Sequence, residues 1–354
     1  MRQSFVDTVP DSYNKYIKRK ILIISLTALV ILVLVIYAIN AGSAGIGTYD
    51  VIKALLGKGE ERFHIIVWNI RMPRILSAIV AGIGLSVAGC VTQSILRNPL
   101  ASPFTLGISQ GAAFGAAVAI IVFGAGSTAN SDSVIINNPY LVVFFAFLGS
   151  MGSTIVVLML AKSFRVTPEA MVLAGVALGS LFSAVTMILQ YFADDVKVAS
   201  VVFWTFGDIG RASWKDLGIM YVVVGISLIY FMFNRWNYNA LDSGEETAKG
   251  LGVDVERVRL LGMFVSSLIA AVITSFVGII GFIGLVGPHI MRRLIGGDHR
   301  FLIPASSVMG GLILLASDTL GRTIISPVVL PVGAITSFLG APVFLYVLSR
   351  GYKR

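Results

Sequence analysis

The chain has 354 residues, 56% of them hydrophobic and only 13% charged, with a mean hydropathy of +0.88. A soluble domain carries about twice that charge, and several separate apolar runs near the length of a bilayer crossing point instead to a polytopic helical membrane protein. Its single cysteine, Cys90, lies inside an apolar run and can form no intramolecular disulfide, and the net charge of +9 is accounted for by topology without a nucleic-acid partner.

Read in chain order, the first twenty residues form a short basic segment expected on the cytoplasmic side. The run from Ile21 to Ala38 is long enough to span, and no small-residue cleavage site follows it, so it is expected to stay as the first span. About ten spans are predicted in a single permease-like domain over 21–350, near 21–39, 73–95, 104–124, 140–162, 169–191, 214–233, 257–278, 280–295, 301–320 and 332–349. The eighth is interrupted by Gly281, Gly284, Gly287 and Pro288. The fold class is therefore all-α and polytopic. Two segments assigned to the outside are long, Asn40 to Asn69 and Phe192 to Ser213. Within the second, Val198 to Phe206 is too short to cross and reads as a helix lying at the outer surface.

With both termini inside, 18 of the 27 Lys and Arg residues fall on cytoplasmic segments, leaving 9 outside. That two-to-one bias fixes the expected orientation.

Between the sixth and seventh spans lies a polar island, NALDSGEETAKGLGVDVERVR, from Asn239 to Arg259. Ser243-x-x-Glu246 has the spacing of a capping box, Gly250 and Gly252 offer left-handed C-cap positions, and Asp254 suits the start of the next helix. Leu241, Ala248, Leu251 and Val253 are small or apolar and would be wasted in a solvated loop. The island is either a structured connector or a docking surface for a soluble partner.

Chemistry-bearing motifs are scarce. There is no G-x-x-x-x-G-K-[ST] phosphate loop, and His64, His289 and His299 form no ligand set, so no catalytic residue, metal or cofactor is expected. The span interiors hold almost no ionisable groups, whereas ion-coupled carriers usually place some there. At the outer ends of spans, Arg71 and Arg74 flank Pro73 in RMPR, and Arg322 follows Asp318 by four residues. These arginines are either interfacial anchors, with an i,i+4 pair at Asp318–Arg322, or a guanidinium ring that grips carboxylates of an external protein.

Five motifs occur in order: RMPR, RNPLASPFTLGISQGAA, NALDSGEETAKGLGV, GFIGLVGPHIMRRLIGGDHR and LPVGAITSFLGAPVFLYVL. Together, over residues 20 to 350, they resemble the FecCD-type permeases of iron–siderophore, haem and vitamin B12 importers. The resemblance implies a ten-helix subunit of an ATP-binding-cassette (ABC) importer in the prokaryotic cell membrane. Such a subunit pairs with a second permease, two separate ATPase subunits and a substrate-binding protein. It implies coupling helices at about 239–256, with Ser243, Gly244, Glu245, Glu246, Ala248, Leu251 and Gly252 toward the ATPases. It also implies docking of the binding protein on Arg71, Arg74 and Arg322. An inner gate is implied at the turns holding Asn98 and Leu100, and Thr167 and Pro168, although RVTPEA departs from the family's small hydroxyl residues there. The alternative class is a secondary transporter driven by an ion gradient.

Overall fold

In bilayer hydrocarbon every backbone N–H and C=O must be satisfied within the protein, so apolar runs of this length fold as helices. A computed structural model of the chain describes residues 11–42, 46–128, 134–164 and 167–351. Residues 1–10 of the basic N-terminal segment, and Arg165, Lys353 and Arg354 among the inner charges, lie outside the described residues. The first third runs α1 (Asp11–Asn40), α2 (Thr48–Leu55), α3 (Glu61–Ile65), α4 (Met72–Ile95) and α5 (Ile108–Ala117). A two-stranded hairpin, β1 (Gly126–Thr128) with antiparallel β2 (Val134–Ile136), is a small departure from the all-α expectation. Then come α6 (Pro139–Phe164), α7 (Pro168–Tyr191), α8 (Asp195–Thr205), α9 (Trp214–Phe233), α10 (Arg235–Asp242) and α11 (Glu245–Gly250). The last third is α12 (Val255–Val277), α13 (Ile283–Ile295), α14 (His299–Thr323) and α15 (Val332–Gly351).

Each of the ten expected spans is a helix in this order. Among the described residues seven are long and apolar enough to cross by length and composition, while Ile108–Val122 and Val332–Tyr346 are shorter apolar helices. α13 has only 13 residues. Its start is displaced by the break at Gly281, after which Phe282 takes a left-handed φ of 67°.

The second span begins earlier than its sequence suggests. α3, a π-helical stretch over Ile66–Arg71 and α4 form one helix from Glu61 to Ile95. Pro73 therefore sits inside a continuous helix, where its missing N–H breaks the i→i−4 ladder. The π stretch immediately before it takes up the change of register.

α4 is the hub. Of its most apolar window 83% is buried, against 11% for α1 and for α7, and it packs against α14, α12, α13 and α9. A Cβ added at Gly89 would overlap the carbonyl oxygen of Gly284. Only glycine permits that approach, and the closeness maximises dispersion contacts where lipid gives no hydrophobic drive between helices. A second apolar cluster joins α5, α6 and α8 through Ala116, Ile120, Val142, Ala146 and Trp204. α8 is the short helix expected in the second of the long segments between spans.

The first of those segments is also structured. α2 buries Val51 and Ala54, and the Trp68 indole donates to the Ala54 carbonyl at 3.1 Å. The Trp214 indole donates in turn to the Trp68 carbonyl at 2.9 Å.

Candidate functional site

The island folds as two short helices followed by re-entry. α10 runs to Asp242, so Ser243 is its C-cap, and the Ser243 hydroxyl donates back to the Asn239 carbonyl at 3.3 Å. The expected Ser243–Glu246 capping box does not form. α11 starts instead from Gly244, whose φ of 123° is open to glycine, with no side-chain cap. The α11 C-terminus is a Schellman motif: Val253 N–H donates to Ala248 C=O at 3.0 Å and Gly252 N–H to Lys249 C=O at 2.9 Å. Gly252 takes the left-handed position (φ 82°), while Gly250 remains within the helix. Asp254 caps α12 as expected, accepting the Arg257 N–H at 3.0 Å.

The apolar residues of the island divide. Leu241 and Ala248 are buried, locking α10 and α11 to the bundle, whereas Leu251 is 69% exposed. Glu246 is exposed, and it meets Lys249 at 3.0 Å. Glu245 accepts from Arg259 at 2.9 Å. Burial works against ionising Glu245, but the Arg259 hydrogen bond and charge outweigh it and hold its carboxyl below the usual range. Beside α11 lies a polar cleft of about 430 Å³, lined by Glu245, Lys249, Asp254, Glu256 and Arg259.

Both turns assigned to the gate are tightly built. Arg97 closes α4 with φ 48°, and the Asn98 carboxamide oxygen accepts the Leu100 N–H at 2.9 Å, leaving Leu100 39% exposed. In the second turn Thr167 caps α7, its hydroxyl accepting the Ala170 N–H at 3.4 Å, and Pro168 occupies the first helical position. The turn's Arg165 and Val166 lie outside the described residues. Glu169 falls within electrostatic reach of Arg259 and Arg97, so both turns and α11 share one end of the bundle.

At the opposite end the three arginines are not a free ring. Arg74 meets the buried Asp318 carboxylate twice, through Nε and Nη2, each at 2.9 Å, with Asp208 at 3.5 Å. Arg322 meets the other oxygen of Asp318 at 3.1 Å and also the Ala41 carbonyl at 3.1 Å. The expected i,i+4 pair is therefore present, but as half of a buried clasp. Arg71 is 5% exposed and donates to the carbonyls of Ile39 and Asn40. Two of the arginines thus bind the end of α1, which the sequence could not reveal because the partners are backbone oxygens about 30 to 280 residues away. His64, His289 and His299 do not converge, and no group of three or more His, Cys, Asp or Glu able to hold a metal occurs among the described residues.

α7 leaves a flank uncovered. A mainly apolar groove of about 640 Å³ between it and α5 is lined by Phe104, Val176, Met187 and Ile188, with Gln110, Ser180 and Ser183 adding polar atoms and both serines exposed.

Comparison with known proteins decides the class. The FecCD transport family matches residues 29–350. The chain belongs to that family. The permease is 55% identical over 98% of its length to a Methanocaldococcus jannaschii protein named as an ABC transporter permease, covering 99% of that relative. It is 35% identical to an Fe(3+)-citrate import permease of Bacillus subtilis (94% of this chain, 96% of the relative). It is 34% identical to a hemin transport permease of Yersinia pestis (90% and 94%). A solved structure titled as an inward-facing ABC transporter of metal-chelate type superposes with TM-score 0.79 at 28% identity, over 95% of this chain and 100% of the other. The protein is a multi-pass membrane permease subunit of an ABC importer, and the reading as an ion-driven secondary carrier is not favoured.

Proposed function

We propose that this permease conducts an iron chelate or a corrinoid, handed over by an external binding protein and driven by ATPases on separate chains. The relatives include permeases for Fe(3+)-citrate, hemin and vitamin B12, which supports bulky chelates as the cargo class. The observation that carries the ATP-driven reading is Leu251: a large apolar side chain, 69% exposed on a capped polar helix beside a charged cleft. A single exposed leucine is ordinary on a protein surface; its place on the polar island, off the apolar spans and beside the charged cleft, is what suits a protein partner better than water or lipid. Ser243, Gly244, Glu245, Glu246 and Gly252 frame the same surface, with Ala248 anchoring it from beneath.

The positive-inside bias supports placing α11 and both termini in the cytoplasm. The α7 groove, mostly apolar with a few hydroxyl side chains, suits one wall of a smooth path closed by a second permease subunit. Asn98, Leu100, Thr167 and Pro168 then edge the inner gate. Docking at the outer rim would engage Arg74 first, since its secondary partner Asp208 is 44% exposed. Arg71 and Arg322 support the rim from within. ATP-driven movement of α10 and α11 reaches the gate as rigid-body rocking, because close-packed helices do not deform locally.

The deciding experiment is reconstitution of the permease with its cognate ATPase and binding protein, followed by ATP-dependent uptake of the ligand that the binding protein retains. ATP-independent uptake driven by a proton or sodium gradient would refute the proposal.

A further inference from the structure

Beneath the coupling surface a chain of polar side chains, half-buried at Asn239 and buried at His299 and Ser94, crosses from α10 to α4 by way of α14. The Asn239 carboxamide oxygen accepts both the backbone N–H of His299, at 2.8 Å, and a contact from the His299 ring Nδ1 at 2.9 Å. The amide NH2 of the same residue donates to Asp298 at 3.2 Å, and since a carboxylate can only accept, this fixes which way the amide points. An oxygen acceptor at Nδ1 requires the ring proton there. In the neutral ring that leaves Nε2 to accept, and the Ser94 hydroxyl lies 2.7 Å from it. His299 is 0% exposed and Ser94 1%, so the three groups hold one another in a single relay, with the Asp242 carboxylate 3.7 Å from the same Nδ1. A partner lost there leaves a buried polar atom unpaired.

The relay ends at the gate turn. Ser94 is in the last turn of α4, and its carbonyl accepts the Arg97 N–H at 3.2 Å, while the Gln93 carbonyl accepts the Asn98 N–H at 3.0 Å. At the other end, Tyr238 and Leu241 are buried on either side of Asn239 and seat α10 on the bundle. The Tyr238 ring lies 5.8 Å from the His299 ring. Between α10 and the turn lies a cleft of about 360 Å³ bordered by Arg97, Asn98, Asp242 and Arg292, while α10 also packs on α4 itself, so the relay is the polar link set within that packing.

We infer that Asn239, His299 and Ser94 are positioning residues that convey the displacement of α10 to the inner turn at 97–100. The inference rests on the proposed coupling and gate roles, and the test separates the two. The assembled importer is prepared with Cys90→Ala and Leu100→Cys, and maleimide labelling of position 100 is followed with and without ATP. In this parent, labelling changes with nucleotide. Adding Ser94→Ala or Asn239→Ala removes most of that change, at least fivefold, with ATPase subunits still co-purifying, and Ser94→Thr restores it. The double variant Ser94→Ala/Asn239→Ala loses no more than either single one, because one relay is broken once. A parental response in both single variants overturns the relay, as does multiplicative loss in the double variant. No nucleotide response in the parent overturns the gate reading, and the relay with it. Should Ser94→Ala fail to assemble, Asn239→Ala and Ser94→Thr supply the same comparison.

Discussion

Asp318 is 1% exposed near the end of α14, and its carboxylate oxygens are met by Arg74 and Arg322. Removing one partner of such a cluster costs more than the cluster contributes, because the remaining charges stay buried. Asp318→Ala is therefore expected to destabilise the permease by roughly 3–5 kcal/mol, read as a lowered thermal midpoint in detergent. A midpoint equal to wild type would show that the two guanidiniums find water. The island offers a paired test. Leu251→Asp should leave insertion and thermal stability intact while lowering ATP-dependent uptake by roughly tenfold or more, since about 1.4 kcal/mol of docking energy is already a factor of ten. Ala248→Asp places a charge at a fully buried position and should instead lower stability. Equal stability in both variants would contradict the division. Asp298 gives a pH signature. Burial alone would raise its pKa, but the hydrogen bonds from Arg300 and Asn239 prevail and hold it at about 2, against an ordinary 3.8. A depressed carboxylate contributes stability that is full above about pH 4 and lost as pH falls toward 2. Arg300→Ala should flatten that loss in a series of thermal midpoints between pH 5 and pH 2.

At the scale of elements, the packing of α4 depends on backbone contact with its neighbours. Gly89→Leu should cost at least 1–3 kcal/mol through overpacking, because α4 and α13 must separate. Gly218 on α9 has nothing within 4 Å of an added Cβ, so Gly218→Leu should fall within about 0.5 kcal/mol of wild type. Denaturation of the two variants side by side checks this, and an equal loss would deny the helix contact. Capping shows how local patterns mislead. Ser243-x-x-Glu246 has the right spacing, yet α10 persists to Asp242 because Tyr238, Leu241 and Asn239 hold it against the bundle. A capping box does form at Ser213 and Asp216, opening α9, where only a three-residue 3-10 turn, Ile209–Arg211, precedes it.

For the whole molecule, the α7 groove makes the proposed path testable. Ser180→Trp or Ser183→Trp should block uptake of a bulky chelate while assembly and ATP hydrolysis persist, since exposed side chains there can enlarge without disturbing the core. Unchanged uptake in reconstituted vesicles would move the path away from α7.

Membership in the helical membrane class, the order of ten spans, the short α8, the Asp254 cap and the existence of a structured polar island were legible from the sequence. They depend on apolar length, local spacing and turn chemistry, which act within a few residues. So was the family, because its motifs are contiguous stretches of chain. What only the tertiary structure decided is which polar groups meet across the bundle. Arg74 finds Asp318 from 244 residues away, and Ser94 finds His299 from 205. Neither partner leaves a local signal at such separations. The arginines could be placed at a rim by composition, but whether they faced outward or turned inward was settled by the unpaired carbonyls at the end of α1 and the buried charge of Asp318, because a cation at low dielectric goes to the acceptors it can reach.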